Sequence, residues 1–212
     1  MAADETLARH LAQDLEAGFP DLVDQHRDRL FTIALRLLGD RRDAEEVAQD
    51  TLVRAFRAMH GYEADRIASL RLRPWLASIA VNLSRNRRRR ADDRQPPSQL
   101  EPMLDAGFDV ALDGRSDPEH RAHRRETQQE LATALLRLRP SVRAAIVLRH
   151  VDGLSVAETA EALGRPEGTI KAQVHRGLRE LRATLEAEAV RFPSAPMKTH
   201  AGRLLPALEA IR

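Results

Sequence analysis

The densest chemistry in the chain lies at Ser84-Arg85-Asn86-Arg87-Arg88-Arg89-Arg90, where five arginines fall in six positions. Crowded guanidinium groups repel one another unless an anion neutralises them. Phosphates do so, with an affinity that falls steeply with salt. With Trp75, Ile79 and Leu83 turned inward on a helix, Ser78, Val81, Arg85, Arg88 and Arg89 point outward, and Asn82 lies at the edge of that face. A second set has the opposite character. Glu46, Gln49 and Asp50 stand at i, i+3 and i+4, so they project together from one helix face. Such a trio repels phosphate and suits a basic protein surface. A third set, Gly168, Thr169, Lys171, Ala172, His175, Arg176 and Arg179, places small residues first and cations after them. That order suits insertion into a major groove. No nucleophile motif accompanies the Ser, His and Asp residues. His120 and His123 form an HxxH with no further ligands, so neither a metal nor a cofactor is expected, and the chain does not read as an enzyme.

The third set needs a helix-turn-helix to present it, and residues 153–182, GLSVAETAEALGRPEGTIKAQVHRGLRELR, supply one. Ser155 and Glu158 are spaced as a capping box. Ala157, Ala160 and Leu163 then share a face, and Gly164 ends the helix in the left-handed conformation. Pro166 fits the start of the next helix. There Ile170, Val174, Leu178, Leu181 and Leu185 form one apolar stripe.

The other two sets need a helical unit upstream. A first short helix is expected over 1–19, ending near Gly18, and a buried one over Phe19–Leu38, ended by Gly39. Asp43 caps the next helix, with Glu46 at the capping-box position, running to about Met59. A loop over 60–73 contains Gly61 and Tyr62, and Pro74 opens a helix to Arg90. Residues 91–118 hold Pro96, Pro97, Pro102 and Pro118 without sustained periodicity, as expected of a linker. Pro140 interrupts the returning helical signal, and Ser141–Val151 reads as one further helix.

Composition agrees. Aromatic residues make up 3% of 212, too few for a typical β-sandwich, while Ala, Leu, Arg and Glu favour helix. The expected fold is all-α: two small helical domains joined by a flexible linker, the second a helix-turn-helix domain. The net charge of +2 hides a pattern. Basic residues outnumber acidic ones 15 to 10 over 20–90 and 13 to 9 over 121–191, but 2 stand against 8 over 91–120. There is no cysteine, which excludes a disulfide framework and a Cys-based zinc site. The absence of a signal-like N-terminus and of a bilayer-length apolar run points to the cytoplasm, without membrane insertion.

DAEEVAQDTLVRAF, then RPWLASIAVNLSRNRRRR, a linker and the helix-turn-helix together resemble the extracytoplasmic-function (ECF) class of bacterial RNA polymerase sigma factors. The resemblance implies an N-terminal extension over 1–19, a region 2-like domain over 20–90, an acidic linker over 91–124, a region 4-like domain over 125–190 and a tail over 191–212. Glu46, Gln49 and Asp50 then match the surface that docks on the β′ clamp helices of core RNA polymerase. The −10 promoter element falls to Asn82, Arg85, Asn86, Arg88 and Arg89, with Tyr62 in the base-capturing loop. The −35 element falls to Gly168, Thr169, Lys171, Ala172, His175, Arg176 and Arg179. Further implied partners are the β flap, promoter DNA and, as a candidate, an anti-sigma factor. No small-molecule substrate is implied. Leu72 departs from the family, standing where an aromatic residue is usual. The competing reading is a free-standing helix-turn-helix regulator that binds duplex DNA without polymerase.

Overall fold

The computed structural model describes residues 2–94 and 129–191, and every regular element among them is helical. The linker beyond residue 94, the His120–His123 pair and nearly all of the tail lie outside the described residues.

Helix α1 spans Ala2–Gln13 and α2 Leu15–Leu38. The break falls at Asp14, not at Gly18 as the sequence suggests. Asp14 is extended and its carboxylate accepts the Ala17 amide at 3.0 Å. Gly18 lies inside α2 because a Cβ there would come within 3.3 Å of Leu11, so the missing side chain lets α1 approach. Gly39 closes α2 as expected, with φ 82° and its amide on the Leu35 carbonyl at 2.8 Å. Helix α3, Arg41–His60, is capped by Asp40 rather than Asp43, for Asp40 Oδ1 accepts the Asp43 amide at 2.7 Å. The 60–73 segment is not wholly a loop, since Ala64–Ala68 forms a short helix, α4, packed on α1. Helix α5 runs from Leu72 to Arg94, two residues ahead of Pro74 and past Arg90. Pro74 sits in the first turn, where its lack of a donor leaves no hydrogen bond unmade.

The second stretch begins with α6, described over residues 129–137, and α7, Pro140–Ile146. The single helix expected over Ser141–Val151 instead changes winding. Val147–Val151 is a π-helical turn, closed by the Asp152 amide on the Val147 carbonyl at 2.9 Å. Helices α8, Val156–Leu163, and α9, Glu167–Arg191, are the last elements among the described residues.

One apolar cluster joins the two stretches. Leu22, Leu30, Ile33, Leu76 and Val81 share it with Ala144, Val147, Leu148, Leu154 and Ala162. A fully buried Leu or Ile stabilises by roughly 1.5–3 kcal/mol, so this shared core is a substantial tie. Val81, assigned to the outward face of its helix by pattern, is buried within it. A smaller cluster of Leu135, Leu138, Val142, Ile146 and Leu181 binds α6 and α7 to α9. Gly177 makes that crossing possible: a Cβ there would press on Ile146 and lie 2.6 Å from Val142 Cγ1.

Arg143, 2% exposed, ties the stretches with hydrogen bonds. Its Nε donates to the Leu135 carbonyl at 2.9 Å, and Nη2 to Leu138 at 3.0 Å and to Leu136. Its Nη1 reaches the Leu37 carbonyl of α2 at 2.7 Å. The last carbonyls of a helix have no partner within it, and a cation there also meets the negative end of the helix dipole. Arg143 satisfies both needs for α6 and α2 at once. Burial, with the Arg88 charge adding to it, lowers its pKa to about 10, which leaves it protonated at neutral pH.

Candidate functional site

The three sets of side chains end in different electrostatic states. On α3, Gln49 and Asp50 are exposed, and Val53 beside them is 46% exposed, one of two large hydrophobic residues left open among those described. Glu46 stands apart from them. It is half-buried and ion-paired with Arg87, with Arg42 Nε at 3.6 Å on its other side. Arg87 also holds Asp43 at 2.7 Å. The carboxylates expected to begin α3 therefore fasten it to α5, and one arginine of the run at 85–90 is consumed inside the protein.

The residues expected to meet the −10 element divide similarly. Asn82, Arg85, Asn86 and Arg89 are exposed along α5. Arg88 is half-buried, close enough to the second stretch to act on Arg143. Tyr62 is half-buried under Arg66, whose guanidinium carbon lies 3.7 Å from the ring centroid. The Trp75 ring is 6.3 Å away. Leu72 is buried, anchoring the start of α5 from within the core.

The helix-turn-helix forms as its local signals specify. Glu158 donates its amide to Ser155 Oγ at 3.1 Å, and Ser155 returns its own to Glu158 Oε2 at 2.8 Å. That backbone bond, reinforced by Arg71, holds the Glu158 carboxyl below its usual pKa despite partial burial. Gly164 takes φ 59°, and Ile170 and Leu181 are buried on the apolar side of α9. Ala157 is exposed rather than inward, and Thr159, Ala160 and Ala162 form the buried side of α8. Across α9, Gly168, Lys171, Ala172, His175, Arg176 and Arg179 are exposed and Thr169 is half-exposed. Lys171 lies 3.8 Å from Glu167, a loose surface pair.

A fourth group was not singled out by sequence. Asp152, turned inward by the π-helical turn, has a side chain only 1% exposed. It pairs with Arg29 through Nε and through Nη2 at 2.5 Å, while Arg73 donates to its carbonyl at 2.5 Å. Arg71 meets Glu161 at 2.7 Å and Glu158 at 3.1 Å.

Among the described residues no group of three or more His, Cys, Asp or Glu could hold a metal, and no helix is long and apolar enough to cross a membrane.

The chain is similar to known proteins along most of its length. The family model described as Sigma-70 region 2 matches residues 22–94, and that described as Sigma-70, region 4 matches residues 128–181. The ECF RNA polymerase sigma factor SigW of Bacillus subtilis is 31% identical over 175 residues, covering 79% of this chain and 89% of that protein. SigE of Mycolicibacterium smegmatis is 34% identical over 166 residues, covering 78% of this chain but 60% of the longer relative. Among solved structures, CnrH in complex with the cytosolic domain of CnrY matches 87% of this chain and 98% of CnrH, with TM-score 0.63 and 25% identity. RpoE of Bartonella quintana, solved with the anti-sigma factor NepR, matches 79% of this chain and 96% of RpoE, with TM-score 0.57 and 26% identity.

Proposed function

Because the chain belongs to the sigma-70 family, as an ECF RNA polymerase sigma factor serving transcription initiation, we propose how its exposed faces divide that work. Gln49 and Asp50 on α3, with Glu46 behind them, dock on the β′ clamp helices of core polymerase. Asn82, Arg85, Asn86, Arg88 and Arg89 hold the −10 element, with Tyr62 at the base-capturing loop. Gly168, Thr169, Lys171, Ala172, His175, Arg176 and Arg179 read the −35 element in the duplex. The units are a region 2-like domain over 20–90 and a region 4-like domain over 125–190, the second also meeting the β flap. The working place is the cytoplasm, the role is non-enzymatic, and an anti-sigma factor is a further partner.

One observation carries this division. An exposed acidic-polar face on α3 and an exposed cationic face on α9 lie within the stretches that match the two sigma regions. A regulator that reads duplex DNA alone needs the second face but has no use for the first. DNA opening follows from population shift: binding the unpaired strand favours the open state without ATP. Unstacking a base costs a few kcal/mol, which contacts in a fitted pocket offset.

Run-off transcription separates this reading from the free-standing regulator. Core enzyme with the purified chain gives discrete transcripts from a promoter mapped by overexpression, while the chain alone shifts the same duplex weakly at physiological salt. Tight, specific duplex binding without polymerase, and no transcript with it, would favour the regulator.

A further inference from the structure

Arg87 sits in the middle of the arginine run yet spends its charge on α3. It reaches from α5 to the first two turns of α3, where its Nε donates to Asp43 Oδ1 at 2.7 Å and its Nη1 to Glu46 Oε2. Arg42 approaches the same glutamate from the other side, with Nε 3.6 Å from Oε1. The two arginines are unlike. The Arg42 side chain is 88% exposed and one turn from Glu46 on the same helix, so its pair is weak and salt-screened. Arg87 is 33% exposed and divides its fork between two carboxylates, which fixes the guanidinium in place. Glu46 is thus gripped at Oε2 and loosely covered at Oε1, with its side chain still 44% exposed. It stands three and four residues before the exposed Gln49 and Asp50, on the same helix face.

We propose that Arg87 is a positioning residue for polymerase docking: it holds Glu46 at one carboxylate oxygen, and Arg42 covers the other until a cation of core polymerase replaces it. The inference rests on the reading of α3 as the docking face. A glutamate held in advance need not be ordered on binding, and ordering one long side chain costs about twofold to tenfold in affinity. Arg42 has the opposite effect, because the incoming cation must first displace it. Charge alone predicts something else. An acidic face that docks on a basic surface should gain from the loss of either arginine, since each loss removes a positive charge. Positioning gives the two arginines opposite signs. It also takes Arg87 away from the −10 element, to which its neighbours Arg85, Asn86, Arg88 and Arg89 are assigned.

The test titrates the fluorescently labelled full chain with core polymerase at low and high salt, with a urea midpoint for each variant to show that it is folded. Arg42→Gln should tighten core binding about twofold at low salt, and the gain should shrink at high salt. Arg87→Met keeps the length without the charge and should weaken binding about threefold. Arg87→Lys keeps the charge but can hold only one carboxylate, so it should fall between Arg87→Met and the wild type. In a Glu46→Gln background the changes at Arg42 and Arg87 should lose their effect. Tighter or unaltered binding by folded Arg87→Met would overturn the proposal. So would an Arg42→Gln gain that persists beside Glu46→Gln, the mark of long-range charge alone. If Arg87→Met does not fold, Arg87→Lys decides, and binding equal to or tighter than wild type overturns the proposal. Undiminished core affinity after Gln49→Ala with Asp50→Ala would instead strike the docking reading itself. Loss there, together with unweakened binding by the Arg87 variants, strikes only this inference.

Discussion

Two arginine-rich surfaces of this chain have opposite fates. On α9, His175, Arg176 and Arg179 are exposed and meet no carboxylate among the described residues. At the start of α5, Arg71 and Arg73 are matched by Glu158, Glu161 and Asp152, with Arg29 closing the cluster. The difference lies in position, since both groups are cationic side chains on or beside long helices. One helix turns its cations away from the body of the protein. The other lies at the seam where the two stretches share an apolar core and where the buried Asp152 carboxylate needs a matching charge. A basic run in sequence therefore measures the capacity for anions, and the fold decides how much of it is left to use.

The sharpest way to break this contrast is to undo the seam. Arg143 feeds four carbonyls, one of them from the far side of the junction. Arg143→Met keeps much of the volume but strands those acceptors, each costing ~1–3 kcal/mol if it stays buried and unpaired. Chemical denaturation should show a loss of about 3 kcal/mol or more. A loss under about 0.5 kcal/mol, within the range of an ordinary surface change, would mean that the seam is not held there.

Acid probes the same region through His26, a buried side chain on α2 with Asp4 Oδ1 3.5 Å from Nε2. Burial first, then the Arg29 charge, with Arg73 adding and Asp4 opposing, lowers its pKa from 6.5 to about 4. In the unfolded chain this imidazole takes up a proton near pH 6.5, whereas the folded chain resists until about pH 4. The unfolded state binds more protons in that window, so stability falls as pH drops through it and levels off below, by up to about 3 kcal/mol. His26→Leu should lose this slope between pH 6.5 and 4.5, as read by urea midpoints at several pH values. An identical slope in the variant would remove His26 from the account.

The smallest expected effect lies within the second stretch. Gly177→Ala should gain up to ~1 kcal/mol from helix propensity. Overpacking against the stiff Val142 and Ile146 costs about 1–3 kcal/mol. Thermal unfolding should show a net loss near 1 kcal/mol. A stabilised variant would mean that α7 and α9 cross less closely than described.

Sequence disclosed what is local. Ser155 and Glu158, Gly164 and Gly39 all act within a turn or two of their own positions, and each behaves as its type and spacing specify. Ambiguity arose where two residues could play one part. Asp40 and Asp43 are three apart and both can cap, and only the ion pair with Arg87 shows which was needed elsewhere. Gly18 reads as a helix stop but serves close packing, a distinction that requires knowing where Leu11 lies. The pairing of Arg29 with Asp152 spans 123 positions, and no periodicity carries such information. The π-helical turn that aims Asp152 had no sequence signature either. The same limit applied to the site. The exposed side of α9 was legible from its apolar stripe, whereas Val81 is buried in a core that both stretches share and Arg88 lies near Arg143 of the second stretch.

The most direct test of the central claim is a titration of fluorescently labelled chain with core polymerase, paired with run-off transcription, for two variants side by side. Gln49→Ala with Asp50→Ala should weaken core binding at least about tenfold, the equivalent of ~1.4 kcal/mol, and transcription should fall with it. Arg176→Ala should leave core binding unchanged while promoter-specific initiation falls, by about 1–3 kcal/mol if it reads a base. Undiminished core affinity in the α3 variant, or equal loss of core binding in both, would contradict the division of labour between α3 and α9.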